Sequence, residues 1–306
     1  MGAGSLRVIC GPTAAGKSTL ALQIAPQRNA SIVSADSRQI YRGFDIGTAK
    51  PSVVERARVD HYGIDIAEPT ERFSAPRWSD AAMDAIREIG HSGKNPLVVG
   101  GTGLYIRALV EPLFRSPELD MDRRVALETM LASQSIGELR RWCAELDPAR
   151  SHLGRTQLLR AIETALLTGH RISSLHAAAR QGTPTDCLTA RYLLVDPGPE
   201  LSGRIENRVD EMLKRGWTDE VESLMRTVPP EAPAWKASGY RAIREHVSGA
   251  RSLSSARERV IIETRQYAKR QRTWFRHQLP AAAVTRVNPD DPASGAVVRE
   301  WWESTE

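Results

Sequence analysis

Eight residues near the amino terminus, Gly11-Pro12-Thr13-Ala14-Ala15-Gly16-Lys17-Ser18, constrain the fold of this chain more than any other stretch. They satisfy G-x-x-x-x-G-K-[ST] at every fixed position. Their context also fits, because the apolar run Leu6 to Cys10 precedes them and a helical pattern from Ser18 to about Ala25 follows. A strand, a glycine-rich turn and a helix in that order aim backbone N–H groups at phosphate oxygens. The helix N-terminus adds partial positive charge, Lys17 adds a full charge, and the Ser18 hydroxyl is a candidate ligand for Mg²⁺. The stretch predicts a phosphate-holding loop on an α/β sheet. It leaves open which polyphosphate is held.

The pattern downstream extends the sheet. Ser31 to Ala35 reads as a short buried strand ending at Asp36, a helix follows from about Ala75 to Ile89, and Pro96 to Val99 runs into Gly100-Gly101-Thr102-Gly103. Short apolar strands alternating with amphipathic helices predict a P-loop NTPase-like parallel sheet with helices on both faces. Ligands of such sheets sit at the carboxyl ends of the strands, so the phosphate loop, the turn at Asp36 and the turn at Thr102 should converge. From Asp120 to about Gln181 only helical periodicity is found, and Ala190 to Val195 reads as a strand rejoining the sheet. The expected division is therefore an α/β core of residues 1–115 and 188–306 with an all-helical insert at 116–187. A helix from Leu201 to Arg215 sets Arg204 and Arg208 on one face. A long helix should span about Ser254 to His277, with little structure after Pro280 until Val297 to Trp302.

Composition matters mainly through where the charge lies. No apolar run approaches bilayer length, no charged and apolar leader is expected, and Cys10, Cys143 and Cys187 show neither disulfide nor zinc spacing. A cytoplasmic protein with no membrane contact is the expectation. The net charge is +5, and the segment Arg257 to Arg276 holds seven Lys/Arg against two Glu, which is the whole excess. On a helical wheel Arg265, Lys269, Arg272 and Arg276 form one stripe. Val260, Tyr267, Ala268, Gln271, Trp274 and Phe275 lie on the adjoining face, which is expected to pack on the body. Uncompensated cations in a stripe repel one another unless a polyanion relieves them, whereas a solvated charged face is the plainer alternative.

Six linked motifs then carry a family resemblance. They are G-P-T-A-A-G-K-S at Gly11 to Ser18, S-A-D-S-R-Q-I-Y-R-G at Ser34 to Gly43, and D-I-G-T-A-K-P at Asp45 to Pro51. They continue with V-V-G-G-T-G-L-Y at Val98 to Tyr105, S-G-Y-R at Ser238 to Arg241, and R-Q-Y-A-K-R-Q-R-T-W-F-R at Arg265 to Arg276. In this order, and over almost the whole length, the chain resembles the tRNA dimethylallyltransferases of the IPP transferase family. It departs in having one histidine, His61, where many members have a pair, and Ala15 where serine is common. The resemblance implies transfer of a five-carbon prenyl group from dimethylallyl diphosphate to the N6 amine of the adenosine beside the anticodon (position 37 of the tRNA), with diphosphate released. It also implies a monomer.

Carried over residue by residue, the resemblance implies that Gly11 to Ser18 and Arg208 hold the diphosphate, with Ser18 on Mg²⁺. Thr13, Asp36, Thr102 and Arg208 would then be catalytic. Asp36, at a strand end, suits a general base for an adenine amine; read alone it is equally a Mg²⁺ ligand or a helix cap. Thr102, read alone, is equally a plain turn residue. Contacts to the anticodon stem-loop are implied for Asp36, Ser37, Arg38 and Gln39, then for Arg124, Thr156, Gln157, Leu158, Leu159 and Arg160. They are also implied for Lys236, Gly239, Tyr240 and Arg241, and for Lys269, Arg270, Arg272 and Arg276. Three other readings share features with this one: a small-molecule P-loop kinase, an isopentenyltransferase acting on free adenine nucleotides, and a nucleic-acid-binding protein with a vestigial loop. No hydrophobic strand ending in a second acid reads as a clear Mg²⁺ clamp, and no arginine-rich lid is placed for ATP. Its basic helix and helical insert favour a macromolecular acceptor, and its intact Lys17 and Ser18 argue against a vestigial loop.

Overall fold

The apolar run before the phosphate loop forms β1 (Leu6–Cys10), which lies inside a six-stranded sheet. The computed structural model describes residues 5–111, 120–181 and 188–304. The other strands are β2 (Ala30–Ser34), β3 (His61–Tyr62), β4 (Asn95–Gly100), β5 (Ala190–Val195) and β6 (Val284–Val287), in the order β3-β2-β4-β1-β5-β6. Every pairing is parallel, with Val8 opposite Val98 on one side and Tyr192 on the other. All five residues of β2 are buried, as a strand covered on both faces requires.

The helices in chain order begin with α1 (Lys17–Gln27), α2 (Val53–Arg58), α3 (Ala75–His91) and α4 (Gly103–Val110). Ser74 starts α3 by accepting the Arg77 N–H. The helix then buries Trp78, Ala82, Ala85, Ile86 and Ile89 along one stripe. The Trp78 indole donates to the Ser34 carbonyl at 3.1 Å and so ties that stripe to the end of β2.

The chain divides into two units, Met1–Val110 with Leu188–Glu306, and Glu111–Cys187. The second unit contains α5 (Met121–Ala132), α6 (Ile136–Leu146), α7 (Arg155–Thr168) and α8 (Ile172–Gln181). Its own core is Leu131, Leu139, Cys143, Leu158, Ala161 and Ile162. A Ser135–Glu138 capping box starts α6, and the buried Asp147 carboxylate accepts the Ser173 N–H at 3.0 Å, joining α8 to the end of α6.

Back in the first unit are α9 (Leu201–Lys214), α10 (Trp217–Thr227), α11 (Tyr240–Val247), α12 (Leu253–Gln278) and α13 (Ser294–Glu303). The stretch after Pro280 differs from expectation. It supplies the edge strand β6, paired with β5 from Tyr192 opposite Val284 to Val195 opposite Val287, and then α13 with Trp301 buried. A four-residue strand is too short to show a period, and its partner lies about ninety residues earlier.

Candidate active site

Two glycines shape the phosphate loop. Gly11 has φ +145° and lies so close to the Val195 carbonyl that a Cβ would overlap it; Gly16 has φ +97° and opens α1. Lys17 curls back to donate to the Pro12 carbonyl at 2.6 Å. Burial, then the Arg208 charge, lower its pKa to about 8, against the opposing pull of Asp36 and Cys10. Arg208, one turn beyond Arg204 on α9, makes no hydrogen bond or ion pair to the protein among the described residues. Burial lowers its pKa while Asp36 opposes. Two half-buried cations that repel each other, with one carboxylate nearby, form a site whose electrostatics favour an anion. Arg204 instead pairs with Asp290 beside the loop.

The ends of β1, β2 and β4 meet as the parallel topology dictates. Thr102 donates its N–H to the Ala35 carbonyl at 3.1 Å and accepts the Ser37 N–H on its hydroxyl at 3.0 Å. Asp36 Oδ1 accepts the Arg38 N–H at 2.8 Å; Oδ2 has no hydrogen-bond partner among the described residues. Tyr267 of α12 lines the same cavity as Asp36. Burial first, and Asp36 second, push its hydroxyl up to about 12, so it stays protonated. Thr13, Asp36, Arg38 and Arg208 line one cavity. The rest of its wall is largely apolar: Ile205, Val209 and Met212 of α9, Trp217 of α10 and Val260 of α12. The Trp217 indole N–H and the Ser238 hydroxyl on this wall are buried without a partner among the described residues.

A scaffold that the sequence did not reveal surrounds the site. Lys50, with its side chain 1% exposed, binds Asp45 and Asp65 at 2.5 Å and the Tyr41 carbonyl at 2.6 Å, closing the Tyr41–Lys50 loop on itself. The Glu220 carboxylate accepts the Asp45 and Ile46 N–H groups at 3.0 and 2.6 Å and the Tyr240 hydroxyl at 2.7 Å. A Cβ on Gly47 would overlap the Trp217 ring, so this loop rests directly on the apolar wall.

Several expected contact residues have other work. Gln39 is buried; its amide accepts from the Ser34 hydroxyl at 3.0 Å and donates to the Ala49 carbonyl at 3.1 Å, so it braces the loop rather than offering a free side chain. Tyr240 is wholly buried and Gly239 is packed against Trp217, which removes both from direct contact through a side chain. Lys236 and Arg241 are exposed, the latter paired with Glu245 at 3.1 Å. In the second unit Leu158 is wholly buried in the core and Leu159 packs against it, whereas Thr156, Gln157 and Arg160 are exposed. Gln157 also caps α7 by accepting the Gly154 N–H at 3.1 Å, and Arg124 pairs with Glu163 at 3.2 Å.

The basic stripe is only half uncompensated. Arg265 pairs with Glu206, and Arg272 holds Asp196 with two donors while a third bond reaches the Gly198 carbonyl at 2.6 Å. Lys269 and Arg276 are exposed with no partner among the described residues, and Arg270 lies 5.8 Å from the Tyr267 ring centre. The expectation that all four stripe cations are free is thus corrected: α9 and the end of β5 supply the missing acids.

Comparison with known proteins agrees with this geometry. The "IPP transferase" profile matches residues 39–278, and an "Isopentenyl transferase" profile matches residues 4–62. A tRNA dimethylallyltransferase from Cyanothece sp. is 40% identical over 94% of this chain and 93% of its own length; one from Geobacter metallireducens is 42% identical over 89% of each. Among solved structures, the tRNA isopentenylpyrophosphate transferase of Bacillus halodurans superposes with a TM-score of 0.68 at 32% identity, covering 97% of this chain and 94% of that one. A eukaryotic dimethylallyltransferase acting on tRNA shares the fold, with a TM-score of 0.78 at 24% identity over 96% of this chain and 77% of the other. A phosphate loop facing a strand-end carboxylate across a cavity with a largely apolar wall, on a chain matched almost end to end by such relatives, shows that this protein belongs to the IPP transferase family.

Proposed function

We propose that the protein transfers a dimethylallyl group from dimethylallyl diphosphate to the N6 amine of the adenosine beside a tRNA anticodon. One observation carries this: the anion-favouring loop, the Asp36 carboxylate and a largely apolar wall open onto the same cavity. The wall suits a prenyl donor. Burying five prenyl carbons at about 0.8 kcal/mol per CH₂ contributes roughly 4 kcal/mol to holding a prenyl diphosphate.

In the forward reaction the N6 nitrogen attacks the first prenyl carbon, the C–O bond to diphosphate breaks, and the N6 proton leaves. Asp36 Oδ2 receives that proton, while the Arg38 N–H on Oδ1 orients the carboxylate. Thr102, held by Ser37 and Ala35, hydrogen-bonds beside the reacting nitrogen, and Thr13 stands at the loop's edge of the cavity. Lys17 and Arg208 take up the charge that develops on the leaving oxygen. The donor set fits Mg²⁺ held chiefly by diphosphate and water: Ser18 offers an exposed hydroxyl at the start of α1, and no cluster of three or more His, Cys, Asp or Glu is found among the described residues. Bound there, Mg²⁺ would neutralise part of the diphosphate charge.

For the acceptor, an adenine must leave its stack to reach Asp36. Ser37, Arg38 and the exposed Lys236, Arg241, Lys269, Arg270 and Arg276 are the groups offered to the nucleic acid on this unit. Thr156, Gln157 and Arg160, with Arg124, are those offered on the helical unit. No helix among the described residues is long and apolar enough to cross a membrane. The test is purified protein with labelled dimethylallyl diphosphate or ATP as donor and tRNA or AMP as acceptor. Prenyl-tRNA alone is the expected product; phosphorylated product or prenyl-AMP alone would overturn the reading.

A further inference from the structure

One buried side chain joins two loops of the site and is not used by the proposed chemistry. Gln271, on the buried face of α12, is only 6% exposed. Its Oε1 accepts the backbone N–H of Thr13 at 2.8 Å, and its Nε2 donates to the carbonyl of Gly101 at 2.8 Å. One amide therefore joins the phosphate loop after β1 to the glycine turn after β4. The turn is built to receive it: a Cβ on Gly101 would overlap Gln271 Nε2, and a Cβ on Gly103 would overlap the Trp274 ring one turn along α12.

We infer that Gln271 is a positioning residue that sets the distance between the leaving-group loop and the proton-accepting side of the cavity. The inference rests on the reading of Thr13 and Lys17 as diphosphate site and of Asp36 and Thr102 as acceptor site. The bond to Thr13 fixes the peptide plane at the cavity edge. The bond to Gly101 fixes the residue before Thr102, whose hydroxyl accepts the Ser37 N–H beside Asp36. A displacement on either side changes the separation between leaving oxygen, carbon and attacking nitrogen, and a shift of about 1 Å costs on the order of 10²-fold in rate. The site requires one acceptor and one donor at the end of a two-methylene stem. An amide of this length supplies both; a carboxylate would face the Gly101 carbonyl with no proton.

The experiment compares Gln271→Met, which keeps shape and loses both bonds, with Gln271→Glu, which regains both when protonated. Single-turnover transfer at saturating tRNA and dimethylallyl diphosphate, tRNA affinity and thermal stability are measured from pH 5.5 to 8.5. Gln271→Met is expected to fold, to bind tRNA within about two-fold of the unaltered protein, and to transfer about 10- to 100-fold more slowly. The rate of Gln271→Glu, as a ratio to the unaltered protein, should rise as pH falls; because acid restores its bonds, it carries the test if Gln271→Met does not fold. A purely structural role would lower thermal stability and leave the single-turnover rate of folded protein unchanged, and rates within two-fold for both variants at every pH would overturn the inference. Asp36→Asn in the same assay separates the layers: if it transfers normally, the reading of the site fails, whereas if it is inactive while both Gln271 variants are normal, only the positioning role fails.

Discussion

At the residue scale the cavity separates two tasks that mutation can test apart. Asp36 has one carboxylate oxygen held by the Arg38 N–H and the other without a partner among the described residues, the arrangement a base needs. Asp36→Asn keeps shape and removes the acceptor, so single-turnover transfer should fall by about 10² to 10⁴ while tRNA affinity stays within a few-fold. An unchanged rate would exclude Asp36 as the base. The proposed reaction assigns Lys17 and Arg208 to the leaving group instead. Because burial already lowers the proton affinity of each, a bound diphosphate should relieve the repulsion between them. Lys17→Ala and Arg208→Ala should each lower the transfer rate by roughly 10² to 10³ with tRNA binding little altered, and excess ATP should compete only weakly. Lys17-dependent ATP turnover would point to a kinase.

At the scale of elements, α12 has two faces with different work. Its buried side lies along the site through Val260, Tyr267 and Gln271, and ion pairs bind it to its neighbours: Arg257 with Asp210, Arg265 with Glu206, Arg272 with Asp196. Only Lys269 and Arg276 of the stripe remain to release counterions when a phosphate backbone binds. Lys269→Gln/Arg276→Gln should therefore flatten the plot of log tRNA affinity against log salt by about 0.7–0.9 for each cation removed. Arg265→Gln/Arg272→Gln should leave that slope nearly unchanged and lower thermal stability modestly, since half-exposed pairs contribute about 0–1 kcal/mol each. Equal slopes for the two double variants would mean that the ion pairs open when tRNA binds.

For the whole molecule, two cores imply two stabilities. Leu158 is fully buried among Leu131, Leu139, Cys143 and Ile162, so Leu158→Ala should cost the helical unit about 2–5 kcal/mol. Calorimetry should show one transition shifted and the other unmoved; a single transition moving as a whole would mean that the units unfold together. Much of the architecture was legible beforehand for local reasons. The phosphate loop, the buried runs of β1, β2, β4 and β5 and the helical stretch after Asp120 each carry their signal within a dozen residues. A parallel sheet then brings Thr13, Asp36 and Thr102 to one edge without further information. What the sequence by itself determined is thus the fold class and which polar residues gather at the candidate site. Tertiary structure alone decided the rest: that β6 closes the sheet edge, that Gln39 and Tyr240 are internal braces, that Glu206 and Asp196 neutralise half the basic stripe, and that Gln271 bridges the phosphate loop and the glycine turn after β4. Each of these joins groups through space that are distant along the chain, or turns on which face of an element meets a neighbour, and neither leaves a periodic trace in the residues themselves.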